Sequence, residues 1–308
     1  MGWTESLEKA AKGKLKKNAL LSEFTALGVG GKASYLYKAE TVVDLVWAIS
    51  VARGHGAPYR IIGRGTNVIF SDNDFEGLVI VNATSELSLD ERHSRVIVDS
   101  GVPLSRMILD LASKGYGGME SFISYRGTVG GAMVKNFSSA DSRIADHLIL
   151  SSVLVSSEKI LSCRPVWFQF GRGKSKLSHR ADLAAPVILN SIFQLQRRKS
   201  DDILKSISET RSRLKRNEPE GQTIEVFQNP AGSEKPAEYF LKLAGAKRMS
   251  VGQIRVSRKN ANFIESGKHA NALEARKLVE KMREAVSTKY NLDLVEKVEY
   301  LGEWNDRN

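Results

Sequence analysis

The sequence contains a single cysteine, Cys163, among its 308 residues. One cysteine cannot form an intramolecular disulfide, so no covalent link stabilises the fold. We interpret Cys163 as an unreactive thiol in a reducing compartment rather than as a nucleophile. No apolar run approaches the length of a membrane-spanning helix, and no signal-peptide hydrophobic segment occurs near the start. These absences predict a cytoplasmic protein without a membrane span.

Histidine is also scarce, and the residues present share no spacing typical of metal ligands: His55, His93, His147, His179 and His269. No metal site is therefore expected. The Walker, Rossmann and Gly-x-Ser-x-Gly patterns are missing too, which argues against three common classes of nucleotide-binding and hydrolytic site.

Positive charge is abundant. The 46 Lys and Arg residues exceed the 35 Asp and Glu residues, for a net charge of +11. Such a surface favours anionic ligands. The basic residues are dispersed and not interleaved with aromatic residues, so nucleic acid is not the expected partner. A small anionic molecule of the nucleotide-sugar type is expected instead, and a protein partner stays open.

Periodicity predicts a mixed α+β chain. Helices are expected at 104–113, from Ser200 onward and at 270–290, and Thr41 is placed to cap another that ends at Gly54. β-branched runs closed by turn residues predict strands between and after these helices. A basic N-terminal helix is expected over residues 1–20, followed by a region over 21–198 that splits near 80–85, and by a C-terminal domain over 199–308.

Two turns concentrate glycine, at Ile61–Asn67 ("IIGRGTN") and Arg126–Ala132 ("RGTVGGA"). Bare backbone lets successive N–H groups approach a phosphate, and the neighbouring Thr66, Thr128, Arg64 and Arg126 add hydroxyl groups and charge. Each turn alone is better explained by a tight connection between strands. Together they suggest a diphosphate ligand, either FAD or a nucleotide sugar.

Several motifs occur in a recognisable order: "TALGVGGKA", "IIGRGTNVIFSD", "GMESF" before "GTVGGA", "VFQNP", "LAGAKRMSVGQIRVS", "NANFIESG" and "VEKVEYLGEW". From about residue 25 to 302 the chain resembles the UDP-N-acetylenolpyruvoylglucosamine reductases (MurB), in their shorter, second type. The resemblance implies an FAD-binding N-terminal half of two subdomains and a C-terminal α+β substrate domain. It also implies a reaction in which NADPH reduces FAD and the flavin then reduces an enolpyruvyl group.

The resemblance assigns cofactor contacts to both glycine turns and to one asparagine beyond the second: Gly63, Arg64, Gly65, Thr66, Asn67, Arg126, Gly127, Thr128, Val129, Gly130, Gly131, Ala132 and Asn136. Arg126 stands where the family has proline. Asn229 matches a substrate-contacting asparagine, and Arg172 is a second candidate for substrate contact.

Three positions that the family uses for catalysis differ. Glu225 stands where a proton-donating serine is expected, Gly173 where an arginine is expected, and Lys297 where a glutamate is expected. With a shifted alignment, Arg172 would take the position of the expected arginine, and Glu296 or Glu299 that of the expected glutamate. Glu225 would act as an acid if burial kept it protonated, whereas beside Lys297 it is expected to form a salt bridge.

These departures favour a divergent flavoprotein, a pseudoenzyme that retains FAD or UDP-sugar binding without the usual reductase residues. Two alternatives stay open. One is an active reductase with Glu225 as a rearranged acid, and NADPH is expected as a cofactor only in this case. The other is a cofactor-free scaffold or interaction protein.

Overall fold

The computed structural model describes residues 2–11, 13–139, 142–178, 185–215 and 217–304. The α-helices are α1 (Trp3–Ala10), α2 (Val42–Gly54), α3 (Leu104–Ala112), α4 (Val129–Val134), α5 (Ile144–His147), α6 (Ser200–Lys215), α7 (Ala237–Leu243) and α8 (Ala272–Tyr290). The first strands are β1 (Leu15–Leu20), β2 (Lys32–Ala39), β3 (Tyr59–Ile62), β4 (Val68–Phe70), β5 (Phe75–Asn82), β6 (Leu87–Asp90), β7 (Arg95–Asp99), β8 (Tyr116–Gly117), β9 (Ser138–Ser139) and β10 (Ser142–Arg143). The later strands are β11 (Leu148–Leu154), β12 (Ile160–Cys163), β13 (Val187–Gln194), β14 (Gln196–Arg197), β15 (Thr223–Glu225), β16 (Ser250–Val251), β17 (Ile254–Val256), β18 (Phe263–Ser266) and β19 (Glu299–Leu301). The predicted α+β class is confirmed.

Helix ends follow the capping signals in the sequence. The Thr41 side chain accepts a hydrogen bond from the Asp44 backbone N–H at the start of α2, and Asp44 accepts one from the Thr41 N–H in return. Asn271 and Glu274 form the same reciprocal arrangement at the start of α8. Each arrangement satisfies two N–H groups that a helix start leaves unpaired. Both predicted helices are confirmed.

The predicted N-terminal helix is correct only for its first half. It ends at Ala10, and Gly13 has a left-handed φ of 82° that an α-helix does not accommodate. Residues Leu15–Leu20 then form β1, so the prediction of a helix over these residues was wrong. The helix that does form buries Leu7 completely.

Residue contacts divide the chain into two compact units, of which unit 1 comprises Met1–Lys17, Tyr35–Arg64 and Glu76–Leu214. Its largest sheet is antiparallel, in the order β12-β11-β13-β7-β6, and pairs Ser191 of β13 with Val98 of β7. Helices α3 and α4 contribute to the apolar core that includes this sheet. A second core lies between α1, α2 and the parallel pair β3 and β5, where Tyr59 lies opposite Leu78.

Unit 2 comprises Asn18–Ser34, Gly65–Phe75 and Lys215–Asn308. An antiparallel sheet in the order β15-β18-β17-β16 and the buried face of α8 form one apolar core, and β4 pairs in parallel with β19. The α8 residues in this core include the predicted set: Leu278, Val279, Met282 and Val286. The Asp72 carboxylate accepts hydrogen bonds from the Ala272 and Leu273 N–H groups, which joins the 65–75 segment to the start of α8.

These two units differ from the continuous ranges expected from the sequence. Residues 18–34 and 65–75 belong with the C-terminal residues, because β4 pairs with β19 across more than two hundred residues of chain. Unit 1 also continues to Leu214, beyond the predicted boundary at 198. The split near 80–85 stays a prediction. No helix in the described ranges is both long and apolar enough to cross a membrane.

Candidate functional site in two parts

The two glycine turns approach each other at Gly63, in the part of the first turn that belongs to unit 1. A Cβ atom at Gly63, just after β3, would lie 2.8 Å from the Thr128 Cγ2 and Oγ1 atoms. Side-chain carbon atoms do not approach other atoms this closely, so only glycine fits here. A single ligand bound by both turns requires them to lie close together, as they do at this point.

The second turn uses most of its N–H groups inside the protein. Val129, Gly130 and Ala132 donate to the backbone oxygens of Val102, Ser100 and Thr128, respectively, and Gly131 donates to the Thr128 hydroxyl. The predicted cradle of successive free N–H groups is therefore wrong for 129–132. Among the described residues, the N–H groups of Gly127 and Thr128 have no acceptor. Buried N–H groups require one, so these two are the candidates for a phosphate contact.

Tyr125, which the sequence analysis missed, explains why two positions of the second turn are occupied by glycine. Its ring would lie 2.6 Å from a Cβ at Gly127, and its hydroxyl 3.0 Å from a Cβ at Gly131. The ring also contacts Phe137, with centroids 4.5 Å apart. Burial raises the pKa of the Tyr125 hydroxyl. These glycines make room for an aromatic side chain of the same chain, and no local pattern announces that role.

Asn136 lies just beyond α4 in a left-handed conformation, with φ of 42° and 1% of its surface exposed. Its side-chain N–H donates to the Gly171 oxygen at 2.8 Å. Its Oδ1 atom is buried and has no hydrogen-bond partner among the described residues. An unsatisfied buried amide oxygen is costly unless a ligand supplies a donor. The predicted role of Asn136 in cofactor binding is consistent with this position.

The turn that includes Arg172 docks on the end of α4. Ser175 and Ser178 both donate through Oγ to the Val134 oxygen at 2.8 Å, in addition to the Asn136 bond to Gly171. Arg172 is exposed at the tip of this turn, between the paired Gly171 and Lys174. The serines belong to this site, and their hydroxyl bonding could not be read from spacing.

Gly173 has a left-handed φ of 65°, the conformation that glycine favours at the third position of a type II turn. An arginine at this position would be strained. The backbone at 173 thus favours glycine, and Arg172 is the arginine that this turn presents.

An FAD molecule fits these groups. Its phosphates would accept from the Gly127 and Thr128 N–H groups, and an N–H of the cofactor would satisfy the Asn136 Oδ1 atom. Arg64 is exposed and Arg126 is half-buried, so both cations can attract phosphate.

In unit 2, Glu225 and Lys297 form an ion pair. The Lys297 Nζ atom lies 2.6 Å from the Glu225 Oε2 atom. Glu225 ends β15, and the Lys297 N–H donates to the Val226 oxygen at 2.7 Å. The salt bridge predicted for these two residues is present, between side chains that are 37% and 29% exposed.

The strand geometry shows which residue faces Glu225. Residues 295–297 run antiparallel beside 226–228, with Glu296 opposite Phe227. Side chains alternate along extended backbone, so Glu296 points away from Lys297. Glu296 instead pairs with Arg283 at 3.1 Å. The geometry therefore does not support the shifted alignment in which Glu296 replaces Lys297.

Asn262, also missed by sequence reasoning, holds this part of the site in place. It is 3% exposed, and its Oδ1 atom accepts from the Phe227 N–H while its Nδ2 atom donates to the Phe227 oxygen. Nδ2 also lies 3.2 Å from the Glu225 Oε1 atom. Glu225 therefore has a hydrogen-bond donor at each carboxylate oxygen.

Two predicted contact residues have structural partners. The Asn67 side chain donates to the Lys297 backbone oxygen, and its own backbone oxygen accepts from Glu299, which aligns β4 beside β19. The Asn229 Oδ1 atom accepts from the Ala237 N–H at the start of α7. The Asn67 side-chain amide would have to give up its hydrogen bond to Lys297 in order to bind a cofactor through the same N–H group. The Gly65 oxygen accepts from the Ala26 N–H in the same unit.

The structure does not favour a nucleophilic cysteine. Cys163 is 3% exposed, and burial raises the pKa of its thiol, which disfavours the nucleophilic thiolate. The described residues contain no group of three or more His, Cys, Asp or Glu side chains that could hold a metal ion. His179 lies outside the described residues.

Comparison with known proteins identifies the family of this chain. The "FAD binding domain" profile matches residues 33–164. The profile for the C-terminal domain of UDP-N-acetylenolpyruvoylglucosamine reductase matches residues 219–301. The chain belongs to the UDP-N-acetylenolpyruvoylglucosamine reductase family. The residues that match the first profile include the second glycine turn and Asn136, and those that match the second include Glu225 and Lys297.

Members of this reductase family match along almost the whole chain. The reductase of Caldicellulosiruptor saccharolyticus is 27% identical over 295 residues, which cover 94% of this chain and 92% of that protein. The Chlamydia abortus reductase is 27% identical over 92% of this chain and 93% of its own. The crystal structure of the Thermus caldophilus reductase matches with a TM-score of 0.77 and 26% identity, over 92% and 98% of the two chains.

Proposed function

We propose that this chain is an active reductase that uses FAD and NADPH to reduce the enolpyruvyl group of UDP-N-acetylenolpyruvoylglucosamine, a step of peptidoglycan synthesis. The observation that carries the proposal is the match, over nearly the full length of both chains, to relatives that bear this enzyme's name. The relatives favour this function over the divergent pseudoenzyme that the substituted residues suggested.

In unit 1, the chain's own groups would hold the cofactor. The Gly127 and Thr128 N–H groups would bind phosphate, and Asn136 would orient a cofactor N–H through its unpartnered oxygen. When bound, FAD supplies the hydride that NADPH provides. Arg172, at the tip of its turn, is the candidate for binding a negatively charged part of the substrate.

In unit 2, Glu225 and Lys297 occupy the positions that the resemblance gives to a serine and a glutamate. Together they still provide one carboxylate and one proton donor. The chemical groups needed to protonate a reduced enolpyruvyl carbon are thus present, though on different residues. We propose that this pair is the rearranged acid site.

A second candidate function is a flavoprotein that binds its ligands without reducing the substrate. It is favoured by the bonding of Glu225, whose two oxygens face donors of Lys297 and Asn262. A carboxylate held in this way is suited to a structural ion pair.

Anaerobic spectroscopy of the purified protein with FAD separates these functions. The proposed reductase is yellow, loses its flavin absorbance when NADPH is added, and regains it when UDP-N-acetylenolpyruvoylglucosamine follows. A yellow protein that the substrate does not reoxidise would support the second candidate. A protein that cannot be loaded with FAD would contradict both and leave the cofactor-free scaffold. The cytoplasmic localisation stays a prediction.

A further inference from the structure

We propose that Lys297, and not Glu225, is the proton donor of this site, and that Glu225 positions the ammonium group. This inference rests on the proposed reductase function. It reverses the assignment that the sequence suggested, in which Glu225 is the acid.

The bonding of Glu225 leaves no proton to donate. Its Oε2 atom lies 2.6 Å from the Lys297 ammonium, and its Oε1 atom lies 3.2 Å from the Asn262 side-chain N–H. Both neighbours are donors, and a protonated carboxyl would place its own hydrogen against one of them. The geometry therefore suits an ionised carboxylate, which accepts at both oxygens.

Lys297 retains protons that can be transferred. An ammonium group carries three N–H bonds, and Glu225 is the only acceptor for them among the described residues. Its side chain is 29% exposed, so another molecule can approach the remaining N–H bonds. The backbone at 297 is held at both polar groups, by the Val226 oxygen and by the Asn67 side chain. A fixed backbone and a paired carboxylate together restrict the position of Nζ.

The step balances with groups that the proposed function supplies. The hydride, with its two electrons, comes from NADPH by way of FAD and forms a C–H bond at one carbon of the enolpyruvyl double bond. The negative charge left on the other carbon takes a proton from Lys297 Nζ, so a second C–H bond forms and an N–H bond breaks. The neutral amine then takes a proton from water. An ammonium is a stronger acid than an aliphatic hydroxyl, so it is competent in place of a serine.

The test measures the two half-reactions separately in the FAD-loaded protein. Lys297→Met should leave the rate of flavin reduction by NADPH unchanged and should slow reoxidation by the enolpyruvyl substrate by about 10²–10⁴-fold, the usual contribution of a positioned acid. Lys297→Arg keeps the positive charge, but a guanidinium group is a poor proton donor, so reoxidation should be as slow as in Lys297→Met. Glu225→Gln keeps a side chain of the same shape and should slow reoxidation by less than about tenfold.

Chemical rescue separates proton donation from a structural role. Methylammonium added to Lys297→Ala should restore part of the reoxidation rate, because a small ammonium ion can occupy the space of the missing one. Lys268→Met, at an exposed lysine of unit 2, is the matched control and should behave like the unaltered protein.

Two results would overturn the inference. One is reoxidation at the unaltered rate in Lys297→Met. The other is a loss in Glu225→Gln as large as that in Lys297→Met, which would make Glu225 the acid. If the unaltered protein is not reoxidised by the substrate, the proposed function fails first and this inference with it.

Discussion

The two parts of the candidate site differ in how tightly their residues are packed. In unit 1 the site consists of closely packed glycines, whereas in unit 2 it consists of the partly exposed Glu225–Lys297 ion pair. In unit 1 the glycines are required by close contacts, such as Gly63 against Thr128. In unit 2, Glu225 and Lys297 are about one-third exposed, so the core tolerates their replacement. Packing thus restricts which residues fit the first part and places little restriction on the second.

The largest expected effect would break the scaffold of unit 2. Asn262→Ala removes two hydrogen bonds to the backbone of Phe227 and leaves its polar groups buried without partners. Each such group costs about 1–3 kcal/mol, so the loss of both bonds should lower the free energy of unfolding by roughly 2–6 kcal/mol. Urea unfolding measures this change. The matched control is Lys259→Ala at an exposed position, which should change stability by less than about 0.5 kcal/mol. An equal effect of the two variants would contradict the role of Asn262.

The comparison also shows how far the sequence predicts the structure. Helices α2 and α8 follow from apolar spacing and capping residues, because both signals are local. The strand Leu15–Leu20 was missed because its lysines continue the basic character of α1. The division into units was missed because it depends on the pairing of β4 with β19, which no local pattern specifies.

The candidate site was predicted to a similar extent. The Glu225–Lys297 salt bridge was predicted because the residue types carry opposite charges, whereas the ligand-binding role of the glycine turns stays a prediction. Tyr125 was missed because its ring fills the space that Gly127 and Gly131 leave open, which no residue pattern announces. Asn262 was missed because it binds the backbone of Phe227, 35 residues away in the sequence. The N–H groups of Val129 and Gly130 were assigned to a ligand because their acceptors, the backbone oxygens of residues 102 and 100, lie outside the motif.

The next effect tests the packed turn of unit 1. Gly63→Val places side-chain atoms against Thr128, and such overpacking costs about 1–3 kcal/mol. Thermal unfolding should show the loss of stability, and the flavin absorbance after gel filtration should show weaker FAD retention. Gly54→Ala is the matched control, because a Cβ at Gly54 meets no atom within 4 Å. If Gly63→Val retains FAD and stability as the control does, the two turns do not depend on close contact.

A smaller effect concerns unit 1 and is the dependence of the free energy of unfolding on pH. Burial lowers the pKa of His147, while the charges of Asp146 and Glu120 oppose this shift. The folded protein therefore binds fewer protons than the unfolded chain below pH 6.5, so His147 makes the free energy of unfolding fall as the pH decreases. Well above pH 6.5, where the imidazole is neutral in both the folded and the unfolded state, its contribution is constant.

Urea unfolding at pH 8 and pH 5 measures the dependence. His147→Gln should reduce the loss of stability between these values, and His55→Gln, at an exposed histidine, is the matched control. If the free energy of unfolding falls equally from pH 8 to pH 5 in the unaltered protein and in His147→Gln, other groups cause the acid sensitivity.

The smallest expected effect decides whether the ion pair of unit 2 is structural. Glu225→Gln, Lys297→Met and the double variant form a cycle whose coupling energy is the interaction between the two side chains. Partly exposed pairs are worth about 0.2–1 kcal/mol, because water competes for both charges. Urea unfolding of the four proteins measures the coupling, and the Arg255–Glu265 pair on the neighbouring strands provides a matched cycle. Coupling within this range in both cycles would mean that stability alone does not explain the Glu225–Lys297 pair. A coupling of several kcal/mol for Glu225 and Lys297 alone would instead identify a structural salt bridge and favour the non-reducing flavoprotein.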